Sequence, residues 1–219
     1  MMASTPPAGS LSTLRRFARS VPTSTSEQCE FCAAPLPDQH RHLFEVAGRQ
    51  VSCVCRACAL LFSNEAASAG KHRLIPERRQ FLPDFELSDD QWEQLRIPVG
   101  MAFFFQSTPA ERVVALYPSP AGPVESLLTL TAWEELTERN PVLGTLQPDV
   151  EALLVNHVRD SREHYLVPID ECYRLVGLIR TSWRGLSGGR EVWGDIEEYF
   201  ANLRRRARVV SGAQHSVRR

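Results

Sequence analysis

Apolar positions along this chain fall into two kinds of run, short near-continuous ones and longer ones at helical spacing. Val99 to Phe105 (V-G-M-A-F-F-F) and Arg112 to Tyr117 (R-V-V-A-L-Y) predict two buried strands, joined through Ser107-Thr108-Pro109-Ala110. Val150 to Val158 and His164 to Ile169 predict two more, turning at Arg159-Asp160-Ser161-Arg162, and Leu127 to Leu130 a further short one. Past Asp170, which reads as a helix cap, Cys172, Leu175, Val176, Ile179 and Trp183 recur at helical spacing until Gly185, Gly188 and Gly189 break the pattern. Val192, Trp193, Ile196, Phe200 and Leu203 line one face of a last helix, and from Arg204 the chain turns basic and is expected to fray. Two capping boxes open shorter helices. Ser88-Asp89-Asp90-Gln91 starts one that runs to Leu95 before Pro98, and Thr131-Ala132-Trp133-Glu134 starts one that ends before Pro141. Tyr117 to Pro123 is proline-rich and predicts an exposed loop. The sum is an α+β fold, an antiparallel sheet with helices packed on it.

The first third of the chain reads differently. Residues 1–26 are rich in Ser, Thr, Pro and Ala and predict disorder, with a transient helical turn over Leu11 to Val21. Residues 27–65 form a small module in which His42 to Val46 and Gln50 to Cys53 are strands around Ala47-Gly48-Arg49. The run Ala59-Leu60-Leu61-Phe62 is expected to pack that module onto the remainder, and Ser63 to Gly70 to act as a linker. The α+β domain then occupies residues 73–208, and 209–219 make a disordered basic tail.

Five of the six cysteines lie in the small module. Cys29 and Cys32 form one C-x2-C pair, Cys55 and Cys58 another, and a C-x2-C turn aims two thiolates at a common point. Two such turns brought together by a hairpin supply the four tetrahedral sulfurs that zinc prefers, so these four are the candidate ligands of a structural Zn2+. Four thiolates close the coordination shell, which favours a structural ion over a catalytic one. Iron is the chemical rival, held singly or as a cluster by the same donors. Cys53, two residues before Cys55, is an alternative ligand in its place or a buried thiol on the other strand face. His40 and His42 share a face of an extended segment, where they complete a mixed site, form a second one with Cys53, or serve as outer or surface histidines. Cys172, on an apolar helix face, reads as an inert core thiol.

Composition narrows the function. A formal net charge of -1 gives no bulk attraction to nucleic acid or anionic lipid. No apolar run approaches the roughly 20 residues a membrane span needs. Arg15-Arg16-Phe17 is followed by Pro22 and a Ser/Thr run instead of an apolar segment, which argues against a secretion signal and for a reducing, cytoplasmic setting. Signatures for phosphate loops, nucleophile elbows, zinc proteases and dinucleotide folds are missing from the sequence, so no catalytic residue is assigned. A triad of Ser119 with His157 or His164 and Asp149 or Asp170 has no local support. The cluster Arg204-Arg205-Arg206 with Arg208 suits phosphates, but complementing a helix C-terminus is the plainer role.

The ordered run C-E-F-C, H-R-H-L-F, C-V-C-R-A-C-A-L-L-F, then I-P-V-G-M-A-F-F-F, V-V-A-L-Y-P-S-P-A-G-P-V-E-S-L-L, L-V-P-I-D-E-C-Y-R-L-V-G and W-R-G resembles an uncharacterised actinobacterial family across about residues 27 to 205. Members of that family are often encoded close to [NiFe]-hydrogenase genes. The resemblance implies an accessory role around hydrogenase assembly or electron transfer and identifies no catalytic residues. With the closed thiolate site and the missing catalytic motifs, it leads to a non-enzymatic zinc-binding protein whose partner is a hydrogenase subunit or maturation factor. An iron-binding electron-transfer protein and a zinc-ribbon nucleic-acid-binding regulator are the alternatives.

Overall fold

Strands that are apolar at every position cannot leave either face to water, and the fold is built on that constraint. The structure, a computed structural model, describes residues 27–126, 130–185 and 188–211. The expectations for 1–26 therefore lie outside the described residues. In order along the chain come strands β1 (Arg41–Glu45) and β2 (Gln50–Val54), helices α1 (Arg56–Phe62) and α2 (Glu65–Ser68), and strands β3 (His72–Leu74) and β4 (Gln80–Phe81). Helix α3 (Asp89–Gln94) precedes strands β5 (Met101–Ser107), β6 (Arg112–Ser119) and β7 (Gly122–Ser126). Helix α4 (Leu130–Arg139), a 3-10 turn (Pro141–Thr145), strands β8 (Glu151–Asn156) and β9 (Glu163–Pro168), helices α5 (Ile169–Ser182) and α6 (Gly189–Arg206), and strand β10 (Arg208–Val209) complete it.

The large sheet has seven strands in the order β10-β4-β9-β8-β5-β6-β7, antiparallel throughout except where β10 joins β4. Strand alternation sends Phe103, Phe105 and Leu154 to one face, where α5 and α6 cover them with Leu175, Ile179, Ile196 and Phe200. Ala102, Phe104, Leu153 and Val155 point to the other face, onto Leu95, Leu136 and Leu143. Both layers are buried, which is why β5 and β8 carry no alternation of polar residues. At the start of β5 the chains approach so closely that only glycine fits. A Cβ on Gly100 would stand 2.8 Å from the His157 carbonyl oxygen, whose own amide donates to Gly100 O at 2.7 Å.

The α+β class and the long strands and helices match the expectations, and several details differ. The proline-rich segment 117–123 is a tight hairpin: β6 runs to Ser119, β7 starts at Gly122, and Pro118 lies opposite Pro123. It is tolerated because β7 is an edge strand and Pro118 lies beyond the part of β6 that pairs with β5. Of the strand expected over Leu127 to Leu130, 127–129 lie outside the described residues and Leu130 opens α4. Asp170 does not cap α5. Pro168 holds the cap position and Asp170 sits in the first turn, its side chain turned toward β1. The C-terminal end does not fray at Arg204 either. α6 continues to Arg206, and Arg208–Val209 add a strand to the sheet, so Val209 is not tail.

The small sheet, ordered β2-β1-β3, stands against this body. Residues 63–70, expected as a linker, include α2, and the chain then returns to pair β3 with β1, Leu74 opposite Leu43. Leu43, Val54, Leu36 and Ala59 build a small core on one face of that sheet. Phe44 and Val46, on the other, enter the core of the large body. The run Ala59 to Phe62 does not carry this contact. It forms α1, buries Ala59 in the small core, and leaves Leu60 and Leu61 65% and 57% exposed.

Three arginines, one on β3 and two in the segment that leads on to β4, then fix the chain to the large body. Arg73 Nε lies 3.2 Å from Asp149 Oδ2, whose carboxylate also accepts from the Thr108 amide and hydroxyl. Arg78 forms a fork with Glu151 through Nε and Nη2, at 2.8 and 2.5 Å. Arg79 Nε donates to Glu171 at 2.6 Å. All three carboxylates are buried.

Candidate metal centre

The first cysteine pair sits on a tight turn. Gln28 bridges to Pro35, the Cys29 amide donates to Ala34 O, and the Ala33 amide donates back to Cys29 O, both at 2.8 Å. Ala33 takes a left-handed φ of 58° to close it. The second pair sits where β2 runs into α1. Cys55 is the N-cap of that helix and its sulfur accepts from the Cys58 amide at 3.4 Å. The helix start thus puts both sulfurs on the side of the first turn.

The four Sγ atoms of Cys29, Cys32, Cys55 and Cys58 lie within 4.8 Å of one another, and Cys32 and Cys55 are 3.7 Å apart. Four sulfurs at about 2.3 Å from a central tetrahedral zinc would be about 3.8 Å from each other. The donor set and spacing fit a metal ion. Electrostatics agree with that reading. Burial raises the Cys29 thiol, but backbone hydrogen bonds from Cys55, Phe31 and Cys32 outweigh it and bring it down to about 6. Burial and the neighbouring cysteine sulfurs push Cys58 up to about 12. One thiolate forms readily and opposes the next, an opposition that a divalent cation among them removes.

Cys53 does not replace Cys55. It lies directly opposite His42 across the β1–β2 pair, grouped with His40 and His42 instead. Cys172 is fully buried in the main core, and burial holds its thiol far above the usual range. The imagined triad is not assembled. Ser119 Oγ is committed to its own turn, donating to Gly122 O and accepting from the Ala121 amide. Asp149 is held by Arg73 and Thr108, and Asp170 by His42. Two arginines of the basic cluster turn back onto the fold: Arg206 bonds Glu171, and Arg204 stacks 3.1 Å from the Phe81 ring centre. The pairing of the three buried carboxylates with their arginines is not legible in the sequence, since no spacing rule joins residues so far apart in the chain.

His157 and His164 face each other across the β8–β9 turn, Nε2 to Nε2 at 3.1 Å, under Trp92 and Phe85. Burial lowers His157 to about 4, and burial together with His157 lowers His164 to about 3. Both rings are therefore neutral when folded and return to the ordinary value near 6.5 when unfolded. Below about pH 6.5 the unfolded chain binds more protons, so stability falls as pH drops toward 4. The melting temperature between pH 7 and 5 should show this fall, and His157→Asn with His164→Gln should flatten it. An equally steep profile in that variant would refute the assignment, since any acid loss at the cysteine centre is common to both proteins.

Residues 28–207 match a family described as a family of unknown function (DUF5947). No curated protein and no solved structure matches the chain. Among the described residues, no helix is long and apolar enough to cross a membrane.

Proposed function

The chain belongs to this family of unknown function (DUF5947), and from its cysteine centre we propose that it is a non-enzymatic, zinc-binding accessory protein that docks on a protein partner. The observation that carries the reading is the set of four sulfurs from two C-x2-C turns, gathered within 4.8 Å. Four thiolates fill a tetrahedral shell and leave no position for a substrate, which gives the ion a structural role. A cytoplasmic setting, where thiols stay reduced, suits ligands of this kind.

Docking is supported by the face the module turns outward. Leu60 and Leu61 stand exposed on α1, beside an open groove of about 620 Å³ lined by Pro37, His40, Arg41, Leu74 and Glu77. Exposed leucines side by side on a short helix offer an apolar anchor with a polar rim. A hydrogenase subunit or maturation factor is the partner that the sequence resemblance implies. No nucleic-acid or membrane role is proposed.

Protein purified anaerobically without added metal should be colourless and carry zinc, and Cys29→Ser with Cys32→Ser should remove one equivalent. Iron with visible charge-transfer bands that bleach on reduction would instead make this an electron carrier. The tagged chain should retain a hydrogenase subunit or maturation factor, and Leu60→Asp with Leu61→Asp should abolish capture while the zinc stays. Undiminished capture by that variant would remove α1 from the interface.

A further inference from the structure

The geometry points to a second metal site, formed by His40, His42 and Cys53 on the face of the small sheet turned toward α5. His42 and Cys53 are directly opposite in the β1–β2 register, and cross-strand partners project on the same side. His40 precedes His42 by two residues. The three donor atoms come within 4.8 Å of each other.

Hydrogen-bond bookkeeping shows what the two rings are set up to do. His40 Nδ1 is 3.0 Å from the Pro37 carbonyl oxygen, which can only accept, so that nitrogen carries the proton. His42 Nδ1 is 2.7 Å from Asp170 Oδ2, a carboxylate, which fixes the same tautomer. Each neutral ring is left with a bare Nε2 lone pair, and these two nitrogens face each other at 3.2 Å with the rings nearly perpendicular. Two lone pairs at that distance repel, unless an added proton or a cation sits between them. Nitrogens at about 2.05 Å from one tetrahedral zinc would be about 3.3 Å apart, close to the separation present.

The surroundings favour a cation. Glu27 Oε2 lies 3.6 Å from His40 Nδ1, Glu30 Oε1 accepts from the Cys53 amide at 2.6 Å, and Asp170 holds His42. A histidine whose far nitrogen donates to a carboxylate is the usual outer arrangement of a metal-bound imidazole. Two imidazoles and one thiolate suit a borderline divalent transition ion such as zinc. Three protein donors leave the fourth position to water or to an outside ligand, so this site exchanges ligands where the four-cysteine centre does not. Binding releases the Cys53 thiol proton to solvent. The site also lies between the module and α5, so its ion would join the two through His42 and Asp170.

The test is zinc per chain after loading the full-length protein with zinc in reductant at pH 8 and removing unbound metal. The wild type should hold two ions. His40→Ala with His42→Ala, and separately the near-isosteric Cys53→Ser, should each hold one. In cobalt-loaded protein the same variants should lose the weaker sulfur-to-metal charge-transfer component and keep the intense four-sulfur one. Asp170→Asn should still reach two ions at saturation but bind the second roughly 10- to 100-fold more weakly. The histidine and Cys53 variants leave all four sulfurs of the first centre in place, so loss of the second ion is read with the first retained, and the two assignments fail independently. A wild-type count of one, with a cobalt spectrum unchanged by both the histidine and the Cys53 variants, would overturn the second site.

Discussion

Glu171→Ala is expected to cost the protein about 2–3 kcal/mol, somewhat less than the roughly 3–5 kcal/mol that breaking a fully buried ion pair costs. Glu171 is buried at the first turn of α5, yet it serves three side chains, Arg79 just before β4 and Tyr199 and Arg206 on α6. Arg79 Nε and Arg206 Nη1 donate to its Oε1 at 2.6 and 2.8 Å, Arg206 Nη2 reaches Oε2 at 3.4 Å, and the Tyr199 hydroxyl bonds its backbone and side chain. Removing the carboxylate leaves two guanidinium groups facing each other without a counter-charge. They are 24% and 37% exposed, so water recovers part of the loss, which keeps the figure below that of a sealed pair. For a chain of this length the melting temperature should fall by about 8 °C. Burial raises the Glu171 carboxyl, but Arg206 and Arg79 outweigh it and hold it below the ordinary 4.5. Its contribution is therefore complete above about pH 4.5 and is lost as pH falls through the lowered folded value. Glu171→Ala should lack that step. Chemical denaturation at pH 7 settles the matter: a loss under about 0.5 kcal/mol, the usual range of a surface change, would mean that the network is incidental.

That network also marks where reading the chain stops. Near-continuous apolar runs such as M-A-F-F-F announce strands buried on both faces, because only double burial tolerates them. Ser88-Asp89-Asp90-Gln91 announces its helix because the cap is made by neighbours in sequence. The two C-x2-C turns announce a metal centre because each turn is local and only their meeting is not. By contrast Arg73, Arg78 and Arg79 look like solvated charge, and their partners Asp149, Glu151 and Glu171 lie 73 to 92 residues away in the cases of Arg78 and Arg79. Strands of two or three residues, such as β4, β10 and β3, carry no periodicity at all and exist because a neighbour completes them. The grouping of His40, His42 and Cys53 was half legible. Alternation put the histidines on one face, but only the register of β1 against β2 places Cys53 among them.

Cys29→Ser with Cys32→Ser should dissolve one half of the module and spare the rest of the molecule. The small core holds six buried residues, Cys29, Leu36, Leu43, Val54, Cys58 and Ala59, and two of these are themselves candidate ligands. So little apolar area cannot offset the entropy of ordering the turn at 28–35 and α1, and a structural ion in such a place typically supplies about 10 kcal/mol or more. β1 is in a different position. Phe44 and Val46 insert into the large core, and Arg73 pins the adjoining β3 to Asp149, so the sheet keeps an anchor that owes nothing to the cysteines. Amide hydrogen exchange should therefore show protection collapsing at Cys29, Ala33, Ala59 and Ser63, whose amides are bonded only within the module. It should persist in β5, β8 and β9, with β1 intermediate. Chelation of the wild type should reproduce the same map. Retained protection at Cys29 and Ala59 in the variant would show that packing alone holds the knuckles, and the ion would then have to be sought for its chemistry and not for its support of the fold.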